Sequence, residues 1–148
     1  MATRTALVIG SGGKIQELQS GDTLGGGGGG AAYRIDVDCG SDALDYFIAD
    51  STSFLVARNM IFPGTGTVTP TTFKVIARME SGGETGTVRL YGVTNSQVIA
   101  SLTLTSATKA IYTDSSLTNL PTGEAIFELQ GSTTDGDTSN RISFMRLE

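Results

Sequence analysis

Residues 73–80 read FKVIARME, and apolar side chains occupy every second position. The odd positions carry Phe73, Val75, Ala77 and Met79, while the even positions carry Lys74, Ile76, Arg78 and Glu80. Because successive side chains of a β-strand point to opposite faces of a sheet, this period of two predicts a strand with one buried face.

The same alternation recurs in YRIDVDC (33–39), TVRLYGV (87–93), QVIASLTLT (97–105) and EAIFELQ (124–130). In 97–105 it predicts that Val98, Ala100, Leu102 and Leu104 share one face. Two further segments, FLVARNMIF (54–62) and RISFMRL (141–147), are apolar on both faces over part of their length. Such strands are covered on both sides by the protein or by a partner.

Turn-forming residues separate these segments, and one short stretch, SDALDYFI (41–48), is a helix candidate with Ser41 or Asp42 as its cap. We therefore predict an all-β fold, an antiparallel β-sandwich of the jelly-roll or a related Greek-key type. The residues expected to be buried in it are Ile35, Val37, Val75, Ala77, Val88, Leu90, Leu102, Phe127 and Leu129.

Six consecutive glycines lie within LGGGGGGAAY (24–33). The segment before them contains two candidate strands, around 7–9 and 15–18, which are too short to bury a core. Since glycine-rich segments behave as random coils, we predict an extended N-terminal arm (1–24), a Gly-rich tether (25–32) and a β-sandwich domain (33–148). The arm is expected to bind a neighbouring chain through Leu7, Val8, Ile9, Ile15 and Leu18. On the sandwich, Tyr91 points away from the Val88 face and is the further partner-binding candidate.

Composition excludes several classes of chemistry. The chain has no histidine, no tryptophan and a single cysteine, so it lacks an imidazole base, a Ser-His or Cys-His pair and a His-ligated zinc site. We predict no enzymatic activity, no catalytic residue, no cofactor and no metal. Cys39 is expected to be a small core residue.

Charge and hydropathy limit the classes of partner that the protein can have. The net charge of −5 disfavours a nucleic acid or an anionic membrane. No apolar run approaches the length of a membrane span, and ALVIG near the N-terminus is too short for a signal-peptide core.

Three motifs admit a functional interpretation. ALVIGSGGKI (6–15) lacks the third glycine and the helix of a dinucleotide fingerprint, so a Gly-rich turn is the better interpretation. Asp135-Gly-Asp137 could ligate calcium but lacks the rest of a calcium loop, so an ordinary turn is favoured. The four tyrosines, Tyr33, Tyr46, Tyr91 and Tyr112, could stack on sugars as in carbohydrate-binding sandwiches, which keeps that function open.

KIQELQSGDTL (14–24), placed between a short apolar run and the glycines, resembles the N-terminal arm of many tailed-phage virion proteins. TVRLYGVTNSQVIASLTLTS (87–106), LPTGEAIFELQG (120–131) and ISFMRLE (142–148) resemble the β-sandwich bodies of phage head-decoration and tail-associated proteins. Together these segments cover roughly half of the chain.

The resemblance implies a structural virion protein of the capsid decoration (cement) type, located on the capsid exterior and assembled in the host cytoplasm. Its expected partners are the major capsid protein and further copies of itself, as a homotrimer or a dimer. The alternative is a tail- or fibre-associated β-sandwich module that binds host-surface carbohydrate.

Overall fold

The computed structural model describes residues 34–40 and 46–148, together with the backbone of 7–9 and 15–17. The chain divides into two units, Met1–Ala32 and Tyr33–Glu148. In the first unit, β1 (Leu7–Ile9) pairs antiparallel with β2 (Ile15–Glu17). Both strands lie where the sequence predicts them, although β2 ends one residue earlier.

The predicted arm contacts fall on residues that the structure does not describe at the side-chain level. The side chains of Leu7, Val8, Ile9 and Ile15, and the whole of Leu18, lie outside the described part of the chain. Their binding to a neighbouring chain stays a prediction, as do the boundaries of the arm, tether and sandwich domain.

The second unit contains the strands of two antiparallel sheets. They are β3 (Ile35–Asp38), β4 (Phe47–Ala49), β5 (Leu55–Phe62), β6 (Phe73–Met79), β7 (Gly86–Gly92), β8 (Gln97–Leu104), β9 (Ala110–Asp114), β10 (Ala125–Thr133) and β11 (Asn140–Leu147). Sheet I has the order β5-β10-β7-β8, and sheet II has the order β3-β11-β6-β9 with β4 also paired to β11. Among the described residues there is no helix, hence none long and apolar enough to cross a bilayer.

The pairing of these strands is nested. β7 pairs with β8, β6 with β9, β5 with β10, and both β3 and β4 with β11. Successive pairs belong to sheet I and sheet II in turn, so the chain winds as one long antiparallel ribbon folded over on itself. This is the double-sheet jelly roll, and it confirms the fold class predicted from the sequence.

The core lies between the two sheets and is built from the alternating apolar residues. Phe62 of β5 and Phe127 of β10 are fully buried, and their rings stack with centroids 4.8 Å apart and planes inclined by 13°. Of the residues predicted to be buried, Ile35 and Val37 are only partly buried because β3 lies at the edge of sheet II. The other seven are buried as predicted: Val75, Ala77, Val88, Leu90, Leu102, Phe127 and Leu129.

The structure corrects the predicted face of Val98. The β7–β8 register shifts between Leu90 and Tyr91, so that Leu90 pairs with Ala100 and Tyr91 pairs with Val98. Ile99 is the extra residue of this bulge. Ile99 and Ala100 are therefore both buried, whereas Val98 moves to the outer face beside Tyr91.

The predicted helix over 41–48 is wrong at its C-terminal end. Phe47–Ala49 form strand β4, in which Phe47 pairs with Ile142 and Ala49 pairs with Asn140 of β11. Pairing to the sheet overrides the local helix pattern here, since burial of Ala49 and partial burial of Phe47 require an extended backbone. Residues 41–45 lie outside the described part of the chain.

A buried amide connects the two sheets at one end of the sandwich. Asn140, at the start of β11 in sheet II, is fully buried, and its Nδ2 donates hydrogen bonds to the carbonyl oxygens of Thr87 (3.2 Å) and Ser132 (2.6 Å) in sheet I. The amide has room because Gly86 has no side chain. A Cβ atom at Gly86 would lie 1.8 Å from Asn140 Oδ1.

We predict that Gly86→Ala destabilises the protein by on the order of 2 kcal/mol or more. The added methyl group displaces the Asn140 amide and leaves buried hydrogen-bonding groups unpaired, which costs about 1–3 kcal/mol per group. The matched control is Gly82→Ala, because a Cβ atom at Gly82 meets nothing within 4 Å. This control should change the free energy of unfolding by less than about 0.5 kcal/mol. Urea denaturation of both variants tests the prediction, and equal effects would contradict it.

Ion pairs cover much of the outer face of sheet II. They join Lys74 to Glu148, Arg141 to Glu80, and Arg146 to Asp36 (2.8 Å). A hydrogen bond from Ser139 and the charge of Arg141 lower the pKa of Glu80, while a hydrogen bond from Lys74 lowers the pKa of Glu148. Hydrogen bonds from Arg34 and Arg146 lower the pKa of Asp36.

These lowered pKa values predict loss of stability in acid. A carboxylate whose pKa is lower in the folded state stabilises the fold above its unfolded pKa of about 4, and this contribution disappears as the pH falls through the folded-state pKa. The free energy of unfolding should therefore fall between pH 5 and pH 3, as urea denaturation can measure. The fall should be smaller in Glu80→Gln than in Glu124→Gln, an exposed carboxylate without an ion pair among the described residues. An identical pH profile in the two variants would contradict the assignment.

Candidate functional site

The outer face of sheet I carries an ordered group of aromatic and polar side chains, here termed the sheet I platform. Tyr91 points outward because its neighbours Leu90 and Gly92 are buried. In the sheet register Tyr91 lies opposite Glu128 of β10, and Arg89 lies opposite Gln130. Phe54, just before β5, completes the group. Its members are Phe54, Arg89, Tyr91, Glu128 and Gln130.

Arg89 is the centre of the sheet I platform. The carbon of its guanidinium group lies 3.4 Å from the ring centroid of Phe54 and 5.0 Å from that of Tyr91. A cation over an aromatic face is attracted by the ring quadrupole. Partial burial lowers the pKa of Arg89 from its usual value, although a guanidinium stays charged at every physiological pH. The cation therefore links and orients the two rings.

A chain of hydrogen bonds fixes the polar half of the platform. Arg89 Nε donates to Gln130 Oε1 (2.7 Å), and Gln130 Nε2 donates to Glu128 Oε2 (2.6 Å). Gln130 is 7% exposed, so its amide is held rigidly between the two charged groups. Such a surface offers a ring face together with oriented donors and acceptors, which suits a ligand with both apolar and hydroxyl-rich sides.

The other tyrosines singled out in the sequence do not join this platform. Tyr46 lies at sheet II, where its hydroxyl accepts a hydrogen bond from Arg141 Nη1 (3.0 Å). Tyr112 packs against the core, and Tyr33 lies outside the described residues. Sequence reasoning found Tyr91 but missed Phe54, Arg89, Glu128 and Gln130. The alternation does place Arg89 beside Tyr91, but only the strand register brings Glu128 and Gln130 to them.

Two acidic side chains meet in the loops between strands. The side-chain contact between Glu84 and Asp135 raises the pKa of Glu84 and lowers that of Asp135. Asp135 Oδ1 also accepts from the backbone N–H groups of Asp137 (3.1 Å) and Thr138 (3.3 Å). Asp135 therefore closes the turn through Gly136, whose φ is +79°. This is the ordinary Asp-Gly turn favoured by the sequence.

Cys39 is 1% exposed, which confirms its predicted place in the core. Burial raises the pKa of its thiol to about 12. The thiol is therefore protonated in the folded protein at neutral pH, and a protonated thiol is a poor nucleophile.

No protein-family model matches the chain, and no curated protein is similar to it in sequence. Solved structures do share its fold. The carbohydrate-binding module CBM36 in complex with calcium and xylotriose superposes with a TM-score of 0.55 at 18% identity, covering 80% of this chain and 91% of that module. The CBM36-1 domain of a multidomain xylanase from the hindgut metagenome of Trinervitermes trinervoides gives a TM-score of 0.57 at 12% identity, covering 78% and 97%. The chain thus has the β-sandwich fold of these modules.

The first of these structures contains calcium. Calcium takes several oxygen ligands, mainly carboxylates and carbonyls. Within 34–40 and 46–148, no three His, Cys, Asp or Glu side chains lie close enough together to hold a metal ion. The described part of this chain therefore does not provide a carboxylate cluster for calcium.

Proposed function

We propose that this protein is a carbohydrate-binding module whose ligand lies on the sheet I platform. The observation that carries the proposal is the partly exposed ring of Tyr91, held by Arg89 beside the hydrogen-bonded pair Glu128 and Gln130. The similarity of fold to carbohydrate-binding modules supports the same class of ligand. The proposal agrees with the alternative drawn from the sequence, a β-sandwich module that binds host-surface carbohydrate.

Each part of the platform has a role in sugar binding. A pyranose ring has an apolar face of C–H groups, which packs on the Tyr91 ring, and hydroxyl groups around its rim. Glu128 accepts hydrogen bonds from these hydroxyls, and Arg89 donates to them. Because the side chains already contact one another, little side-chain freedom is lost when a sugar binds, and this lowers the entropic cost of the complex.

The test is the binding of soluble oligosaccharides to the full chain by isothermal titration calorimetry, beginning with xylotriose and continuing through cellotriose, maltotriose and chitotriose. Saturable binding of at least one of them is expected. Tyr91→Ala should weaken it at least tenfold while the midpoint of thermal unfolding changes little, because the ring lies on the outer face. The control is Ile111→Ala, which removes an exposed side chain from sheet II and should leave affinity unchanged. An absence of binding to every oligosaccharide, or an equal loss of affinity in Tyr91→Ala and Ile111→Ala, would contradict the proposal.

A second candidate function is the capsid decoration role that the sequence resemblance implies, with the major capsid protein and further copies of the chain as partners. One observation favours a protein partner. Ile61 of β5 and Ile126 of β10 lie directly opposite each other on the outer face of sheet I, 66% and 50% exposed. Adjacent exposed apolar side chains often mark a protein interface.

This candidate predicts self-association through the same pair. Sedimentation velocity of the full chain at micromolar concentration should show a trimer or a dimer. The double variant Ile61→Lys with Ile126→Lys should be a monomer, because association would bury two adjacent positive charges in the subunit interface. The control is Thr103→Lys, which places a positive charge on the outer face of β8, away from the Ile61–Ile126 pair, and should leave the oligomer unchanged. A wild-type monomer, or an oligomer that survives the double substitution, would contradict self-association at this surface.

A further inference from the structure

An open pocket of about 390 Å³ lies on the outer side of sheet II, opposite in the sandwich to the sheet I platform. We term it the basic pocket. Three cationic and three hydroxyl-bearing side chains line it: Arg78, Lys109, Arg141, Tyr46, Thr108 and Ser143. A volume near 400 Å³ is at the lower end of the range for small-molecule sites.

The sheet register places like charges side by side in this pocket. Arg141 of β11 is the direct cross-strand partner of Arg78 of β6. Lys109 comes just before Ala110, which pairs with Ala77 next to Arg78. Like charges directly opposite each other on one sheet face destabilise it. Three cations in one pocket thus impose an electrostatic cost that an anion would relieve.

The positive charge is compensated at the other end of the same sheet face but only in part at the basic pocket. Lys74 is paired with Glu148, and Arg146 contacts both Asp36 (2.8 Å) and Glu148 (3.9 Å). In the basic pocket, Glu80 is the one carboxylate among the described residues that forms an ion pair with a lining cation, Arg141. Within the same described part of the chain, the side chains of Arg78 and Lys109 form no ion pair or hydrogen bond, although the charge of Arg78 helps to lower the pKa of Glu80.

Arg141 is held in place by Tyr46 and Glu80. Its Nη1 donates to the Tyr46 hydroxyl (3.0 Å), its guanidinium lies 4.9 Å from the Tyr46 ring centroid, and its Nη2 pairs with Glu80. The third guanidinium nitrogen, Nε, is buried and has no hydrogen-bond partner among the described residues.

We propose that the basic pocket is a second ligand site, which binds a small oxyanion between Arg78, Lys109 and Arg141. Guanidinium groups pair with carboxylate, sulfate and phosphate oxygens through two parallel hydrogen bonds, and an ammonium group adds a point charge. The hydroxyls of Thr108 and Ser143 supply further donors. The oxyanion can belong to an acidic sugar or be a free inorganic ion. The site is on the sheet opposite the platform and does not depend on carbohydrate binding there.

The experiment is a titration of the full chain with three probes, followed by ¹H–¹⁵N NMR and by the midpoint of thermal unfolding. The probes are glucuronate, its neutral counterpart glucose, and inorganic sulfate at matched ionic strength. Glucuronate or sulfate should bind saturably, shift the amide signals of residues near 78, 109 and 141, and raise the midpoint of unfolding. Glucose should leave those signals unchanged. Tighter binding of glucuronate than of sulfate identifies an acidic sugar as the ligand, and the reverse identifies an inorganic oxyanion.

Two arginine variants distinguish specific binding in the basic pocket from attraction to the overall positive charge of this sheet face. Arg78→Gln should weaken oxyanion binding at least tenfold while the variant without ligand stays folded, because the repulsion from Arg141 is relieved. Arg146→Gln removes an equal charge from the same face, where Arg146 is already paired with Asp36, and should weaken binding less than twofold. Tyr91→Ala should have no effect on it. Equal losses in Arg78→Gln and Arg146→Gln, or no saturable binding of either anion, would overturn the proposal.

Discussion

The buried amide of Asn140 is the constraint on which the geometry of the sandwich depends. It lies at the start of β11, the strand that pairs with β3, β4 and β6, and it donates to two carbonyl oxygens of the opposite sheet. Those acceptors belong to Thr87 and Ser132, a directly opposed pair of β7 and β10. Because a buried amide loses free energy unless its donors are paired, the two sheets are held in one relative position. Gly86 leaves the space that this contact needs.

The same constraint positions both candidate sites. Thr87 is two residues before Arg89 on β7, so the strand that receives the Asn140 hydrogen bond also carries the centre of the platform. Arg141 follows Asn140 directly and points to the opposite side of β11, into the basic pocket. Alternation along a strand thus places one residue in the core and the next in a binding surface. A shift of the strand register by one residue would move the core residue to the surface and the surface residue into the core.

The sequence predicts the strands and the core well because both follow from local alternation. In β6 the four odd positions are buried and the even positions face outward, as the pattern requires. Non-local pairing decides the rest. The bulge at Ile99 moves Val98 outward, and pairing with β11 turns Phe47 from a helix candidate into a strand residue. Likewise, Glu128 and Gln130 are distant from Tyr91 in sequence, and the β7–β10 register alone brings them together.

The negative net charge disfavours anionic partners, and the fold shows why this inference applies only to large ones. Within the described part of the chain, five cationic residues lie on the outer side of sheet II: Lys74, Arg78, Lys109, Arg141 and Arg146. A long polyanion interacts with the summed charge of the protein, which is −5 and repels it. A small oxyanion interacts mainly with groups within a Debye length of roughly 8–10 Å. At the basic pocket those groups include three cations, so an acidic protein can still attract a small anion at this one place.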